Sequence, residues 1–137
     1  MKIVNRKQDY LGFILILGIG LIIFTHYLRD TQVSSNLSFF LGVAPNFIAA
    51  FCCPVVFLVY IKHVQKLFCK LSDFQWFFSS ILITLIGLFF WELRQLHLDK
   101  FTFDTYDIIA SFIGSICFLG CWPLIKPFIA QPNKQIN

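Results

Sequence analysis

The sequence is poor in charge. Only 13% of its 137 residues are Asp, Glu, Lys or Arg, where soluble domains carry roughly a quarter. It also lacks a C-x-x-C pair, an internal repeat and a low-complexity tract. Each absence excludes something. With 58% hydrophobic residues, 18 Phe spread along the chain and a mean hydropathy of +0.75, there is too little polar surface to cover a soluble fold of this size. The missing repeat excludes a solenoid array. The length allows one domain.

Five Cys are present, Cys52, Cys53, Cys69, Cys117 and Cys121. Without C-x-x-C spacing, and with no His or acid beside Cys117 and Cys121, Cys52, Cys53, Cys117 and Cys121 in the apolar runs read as small apolar packing residues, while Cys69, in an expected cytoplasmic loop, should stay reduced. The net charge of +4 does not point to nucleic acid, because the basic residues flank apolar runs and form no patch. A bilayer accounts for them better.

Four apolar runs follow. A helix needs about 20 residues to cross the hydrocarbon. The first run, 10–28, holds no formal charge between Asp9 and Arg29. Lys2, Arg6 and Lys7 precede it as in a signal peptide, but the apolar stretch is too long and Thr25-His26-Tyr27 offers no small-residue cleavage site, so it is expected to be a mature span. The second run, 37–61, contains Pro45 and Pro54. Proline suits the first turn of a helix, so the helix proper is expected from Pro45, with 37–43 as an interfacial lead-in and a kink at Pro54. The third and fourth spans are expected over 74–93 and 106–125, the fourth ending at Pro123 and Pro127. The fold class predicted is therefore all-α: a polytopic membrane protein with four transmembrane helices in a compact bundle.

Basic residues set the expected orientation. With both termini inside, Lys2, Arg6, Lys7, Lys62, Lys66, Lys70, Lys126 and Lys134 lie inside and Arg29, Arg94 and Lys100 outside, eight against three of all eleven. Short loops with this bias stay in the cytoplasm. The acids sort the other way. Asp9 and Asp73 fall inside, while Asp30, Glu92, Asp99, Asp104 and Asp107 fall at the outer interface, with His26, Arg29, Asn46, Arg94, Gln95 and His97 at similar depth.

Two pairs in this layer have helical spacing, Glu92 with Gln95 and Asp104 with Asp107. Asp107, Ser111, Gly114 and Phe118 continue a stripe down one face, and the glycine permits close helix approach. Glu92 and Asp107 can thus meet across the bundle. Simpler roles stand beside these. Asp104 suits an N-cap and Asp107 the first helical turn. His26 and Arg29 suit a helix C-terminus in the headgroup layer, and Asn46 beside Pro45 can satisfy backbone. Trp91 and Trp122 suit the outer and inner aromatic belts. Glu92 follows Phe89, Phe90 and Trp91, and a carboxylate near the hydrocarbon costs a few kcal/mol unless partnered or near water.

The stretch Trp91-Glu92-Leu93-Arg94-Gln95, then Thr102-Phe103-Asp104-Thr105-Tyr106-Asp107-Ile108-Ile109-Ala110, then Gly114, resembles the C-terminal half of VanZ-like membrane proteins. Gly42-Val43-Ala44-Pro45-Asn46 is similar to their second-span entry. The resemblance covers about residues 91–120. Two positions depart from the family pattern: its Arg before the aspartates is Phe101 here, with Lys100 one residue early, and its Asn is Ser111. Lys does not replace Arg as a bidentate partner.

The resemblance implies a bacterial cytoplasmic (inner) membrane protein with its polar residues on the cell-envelope side, in a family named for a protein linked to low-level teicoplanin resistance. On that reading the outer polar cluster binds or processes a lipid-linked or cell-wall-related ligand. Glu92 and Asp107 are the candidate catalytic residues. Gln95, Asp104, Asn46, Ser111, Arg94, His26 and Arg29 are the candidate ligand-binding residues. Paired acids can act as general acid and base, or hold a divalent cation through oxygen ligands. The sequence does not choose between these, and it names no cofactor and no dedicated metal centre. The expected partners are membrane lipid and the ligand. Two other readings stay open: a non-enzymatic small subunit packed on a larger membrane complex, and transport. Transport is the weaker, because no span carries an ionisable residue near its middle.

Overall fold

The computed structural model describes residues 3–31, 34–68, 71–96 and 104–129, with main chain alone for 3–9, 59–68 and 128. All regular structure in these residues is helical: α1 Ile3–Arg29, α2 Ser35–Phe68, α3 Asp73–Gln95, α4 Thr105–Gly120 and α5 Trp122–Ile129. Three stretches, Tyr10–Arg29, Ser35–Leu58 and Asp73–Gln95, are long and apolar enough to cross a membrane, and α4 is a shorter apolar helix. The chain is a multi-pass membrane protein built as an all-α bundle.

Helix α2 is the axis. It packs against α1, α3 and α4, whereas α1 rests chiefly on α2. Large apolar side chains such as Phe13, Ile16, Ile19, Ile23 and Phe24 are exposed around α1. A helix apolar on every side belongs in hydrocarbon. Two glycines set the closest approaches. A Cβ on Gly18 would meet Cys52 Sγ at 2.6 Å, so Cys52 fills the space this glycine leaves. A Cβ on Gly114 would run into the Phe47 carbonyl oxygen, with Ala50 Cβ at 3.1 Å. That glycine lets α4 lie backbone-close on α2.

The apolar core occupies one end of the bundle. Val55, Leu58, Phe77, Ile81, Phe118 and Ile125 are buried together with Leu11 and Ile129. Phe77 stacks on Phe118 at 5.1 Å, and Phe51 meets Phe118 edge-on at 5.7 Å. Trp122 joins them, 4.9 Å from Phe77 and 5.2 Å from Phe74. It is therefore a packing residue at this end, beyond the belt position expected for it.

Caps define α3 and α4. Ser72 and Gln75 form a reciprocal capping box, Gln75 N–H donating to Ser72 Oγ at 3.3 Å and Ser72 N–H to Gln75 Oε1 at 2.9 Å. Asp104 caps α4, its Oδ1 accepting from Tyr106 N–H at 2.8 Å. Each such cap stabilises by about 1 kcal/mol.

Two expectations from the proline positions are corrected. The second helix does not begin at Pro45: α2 is already helical from Ser35, and both Pro45 and Pro54 lie inside it. Each proline leaves one carbonyl four residues earlier without its usual donor, a loss a long helix held on three sides tolerates. With 34 residues, α2 is about 51 Å long, longer than a hydrocarbon core of about 30 Å. The 37–43 stretch is thus part of the first turns of the same helix, exposed over 37–40 and turning inward at Leu41, which is buried. The fourth run is also not one helix to Ile125. It breaks at Cys121, whose ψ of 0° leaves the helical region, and resumes as α5. Pro123 would press its ring on the Leu119 carbonyl in a continuous helix; after the break it sits in a first turn, where its missing N–H is no loss.

Candidate functional site

The opposite end of the bundle is polar. There α1 ends, α2 has run its first three turns, α3 ends and α4 begins. The inner face of α3 is a stripe of Phe77, Ser80, Ile81, Thr84 and Glu92, all buried, with spacings of three, one, three and eight that hold to one side of a helix. Phe89, Phe90 and Trp91 point outward. The stripe therefore carries Glu92 into the bundle just where the helix closes, and only 1% of the residue is exposed.

Two amides hold that carboxyl group. Gln95, one turn on, donates from Nε2 to Glu92 Oε1 at 3.0 Å. Asn46 of α2 donates from Nδ2 to the same oxygen at 3.4 Å. Glu92 Oε2 is buried with no hydrogen-bond partner among the described residues. Asp107, in the first turn of α4, couples electrostatically to Glu92, and the Asn46 side chain is within hydrogen-bonding range of it as well. Asp107 Oδ1 is likewise buried without a partner among the described residues. Asn46 thus bonds Glu92 and lies beside Asp107, and each acid keeps one oxygen with no partner among the described residues.

The remaining candidates divide. Asp104 lies close enough to act on Asp107, and its backbone N–H faces Glu92, but its own Oδ1 is used on the α4 cap. Arg29, exposed at the end of α1, is within electrostatic reach of Asp107. Ser111 is buried on the Asp107 face, but its hydroxyl donates to the Asp107 carbonyl at 2.9 Å; its bond is to backbone and not to a carboxylate. Arg94 turns away from the acids and lies over the Trp91 ring, 5.8 Å from its centroid. His26 is exposed on α1. The family-like Arg position, Lys100–Phe101, and His97 fall outside the described residues.

Sequence reasoning passed over Ser115, one turn below Ser111. It is buried and its hydroxyl has no partner. The signal was present as a second serine on the Asp107 stripe. By contrast Thr25, Ser80 and Thr84 return their hydroxyls to carbonyls of their own helices at 2.7–2.9 Å, the usual way a hydroxyl is satisfied in an apolar helix. No three His, Cys, Asp or Glu side chains among the described residues stand together as a metal cage.

Chemically, the site offers two inward carboxyl groups from different helices, clamped by one amide and open on one oxygen each. Such a pair can exchange a proton or share a bound ligand. Among known proteins no family model, no curated protein and no solved structure matches the chain. The class defined by fold and site is a small multi-pass α-helical membrane protein with a buried carboxylate cluster at one end.

Proposed function

We propose that the protein is a VanZ-like integral membrane protein of the bacterial envelope, whose polar end binds or processes a lipid-linked or cell-wall-related ligand. In this reading it lies in the cytoplasmic membrane with both termini inside and the Glu92 end facing outward. The observation that carries the proposal is Glu92 itself. A carboxyl group only 1% exposed, tethered by Asn46 and Gln95 through one oxygen and open at the other, is costly in a membrane bundle. Structural need does not account for it, since apolar residues of similar volume commonly serve as well. Ionisable groups at such depth mark ligand or ion sites. Glu92 and Asp107 are the reactive pair, with Asn46 and Gln95 holding Glu92 in place and Arg29 beside Asp107. The eight-to-three bias of basic residues supports the orientation, and the resemblance at residues 91–120 supports the family and its link to the response to teicoplanin.

The test is native mass spectrometry of the intact protein released from bacterial membranes in a mild detergent, with teicoplanin susceptibility measured in a deletion strain. A lipid-linked adduct on the wild type that is lost in Glu92→Gln supports the reading. Identical adducts on both, with complementation by Glu92→Gln, overturn it.

A second reading, a non-enzymatic small subunit, is favoured by one feature. Helix α1 rests chiefly on α2 and exposes large apolar side chains around most of its surface, which a neighbouring membrane protein could cover as readily as lipid. Light scattering of the gently solubilised material separates the two: a defined larger complex containing a second chain favours the subunit.

A further inference from the structure

Among the described residues, two buried carboxyl oxygens at the polar end, Glu92 Oε2 and Asp107 Oδ1, have no hydrogen-bond partner. Buried polar atoms are normally paired, so each exception asks for an explanation. The two groups come from different helices and are coupled electrostatically, and one amide, Asn46, donates to Glu92 Oε1 at 3.4 Å and lies beside Asp107. Two carboxylates held this close repel unless something positive or a proton lies with them. Among the described residues, the cation within electrostatic reach of Asp107 is Arg29, which is exposed at the end of α1.

A hard divalent cation fits this donor set. Mg²⁺ keeps several waters and is bound by one or two carboxylates together with the phosphates of a substrate, not by an all-protein cage. The site matches that pattern in what it has and in what it lacks. It has two carboxylate oxygens, and no third His, Cys, Asp or Glu completes a cage among the described residues. The missing oxygens would have to come from the ligand. Arg29, within electrostatic reach of Asp107, is placed to meet an anionic ligand at the rim. Building on the ligand-binding reading above, we infer that Glu92 and Asp107 bind a divalent cation whose coordination is completed by the phosphate oxygens of a phosphorylated ligand, with Asn46 as the positioning residue between them and Arg29 as a second contact to the phosphate. The phosphate belongs either to a lipid in the membrane or to a free anion. Both present the same oxygens to the metal.

The experiment uses the full-length protein in a phosphate-free maltoside detergent and reads bound Mn²⁺, a spectroscopic substitute for Mg²⁺, by electron paramagnetic resonance. Titrations are run alone, with a polyprenyl phosphate and with inorganic phosphate. The expected result is weak Mn²⁺ binding alone that tightens when polyprenyl phosphate is added. Equal tightening by inorganic phosphate supports the cation–phosphate site with a free anion as its source. Glu92→Gln and Asp107→Asn should each abolish the tightening. Asn46→Ala, which removes only the positioning amide, should weaken Mn²⁺ binding by about 10- to 100-fold, as loss of an outer-shell partner does. Detergent melting of each variant verifies that it is folded, and two independent isosteric variants guard against one failing. Mn²⁺ binding by the wild type that equals the Glu92→Gln, Asp107→Asn double variant, with or without phosphate, overturns the inference. The two failures are distinguishable: polyprenyl phosphate that binds undiminished in EDTA overturns the cation and leaves the ligand site standing, whereas loss of both overturns the ligand reading too.

Discussion

Asn46 Nδ2 donates to Glu92 Oε1 across 3.4 Å, joining the twelfth residue of α2 to the last turn of α3. Nothing local requires this bond. It exists because Gly114 admits α4 against Phe47 and Ala50, which fixes the height of α2 against its neighbours. The same contact brings Asp107 beside the Asn46 amide. The polar end is thus assembled by three helices and belongs to none of them.

Glu92→Gln should impair function much more than folding. The helix does not depend on this charge, and Gln keeps the shape and an acceptor for Asn46 and Gln95. Neutralising a buried carboxyl group with an open oxygen removes a desolvation cost. Abundance and detergent melting temperature should equal or exceed the wild type, while ligand binding falls by about tenfold or more. Full complementation of a deletion strain at normal abundance would falsify the functional role of Glu92.

Asp104→Ala should show the opposite balance. Its Oδ1 satisfies the Tyr106 N–H at the start of α4, and loss of such a cap costs about 1 kcal/mol. The melting temperature should fall, and any functional deficit should follow the amount of folded protein. An unchanged melting temperature would remove the cap from the account of α4.

Gly114→Ala should destabilise the bundle by about 1–3 kcal/mol, since the new methyl would overlap the Phe47 carbonyl and forces α2 and α4 apart. Gly87→Ala is the control. Nothing lies within 4 Å of its added methyl, and Ala is favoured over Gly in a helix by up to about 1 kcal/mol. Unfolding of the two variants side by side in a denaturing detergent series gives the comparison. Equal stability would mean that α2 and α4 are not in backbone contact.

The orientation is tested by reporter fusions. Fusions after Lys70 and after Asn137 should report cytoplasm, and one near Asp99 should report the outside, as the eight-to-three distribution of basic residues predicts. A periplasmic signal from the C-terminal fusion would reverse the placement of the Glu92 end.

Much of this protein follows from its sequence alone. The apolar runs are separated by charged intervals, so solvent preference by itself specifies membrane helices, and the small number of polar residues left over narrows the search for a site to one end. Asp104 at the start of α4, and the Ser72–Gln75 pair at the start of α3, are local devices whose partners lie within three residues, so both are legible from spacing. The proline-bearing segments were not. Pro45 reads as a helix start, yet lies inside α2, because packing on three sides outweighs one lost backbone bond. Pro123 reads as an end, yet the chain breaks two residues earlier at Cys121 and winds on as α5. The site divides in the same way. Sequence placed Glu92, Asp107 and Asn46 at one depth, because depth follows from counting residues along each span. Only the tertiary structure decided that Asn46 bonds Glu92, that Ser111 turns to the Asp107 carbonyl, and that Arg94 lies on Trp91 and not on the acids. Rotation of each helix about its axis, and the height at which neighbours lock, are set by contacts such as Gly114 on Phe47, between residues 67 apart in the chain. No local pattern encodes them.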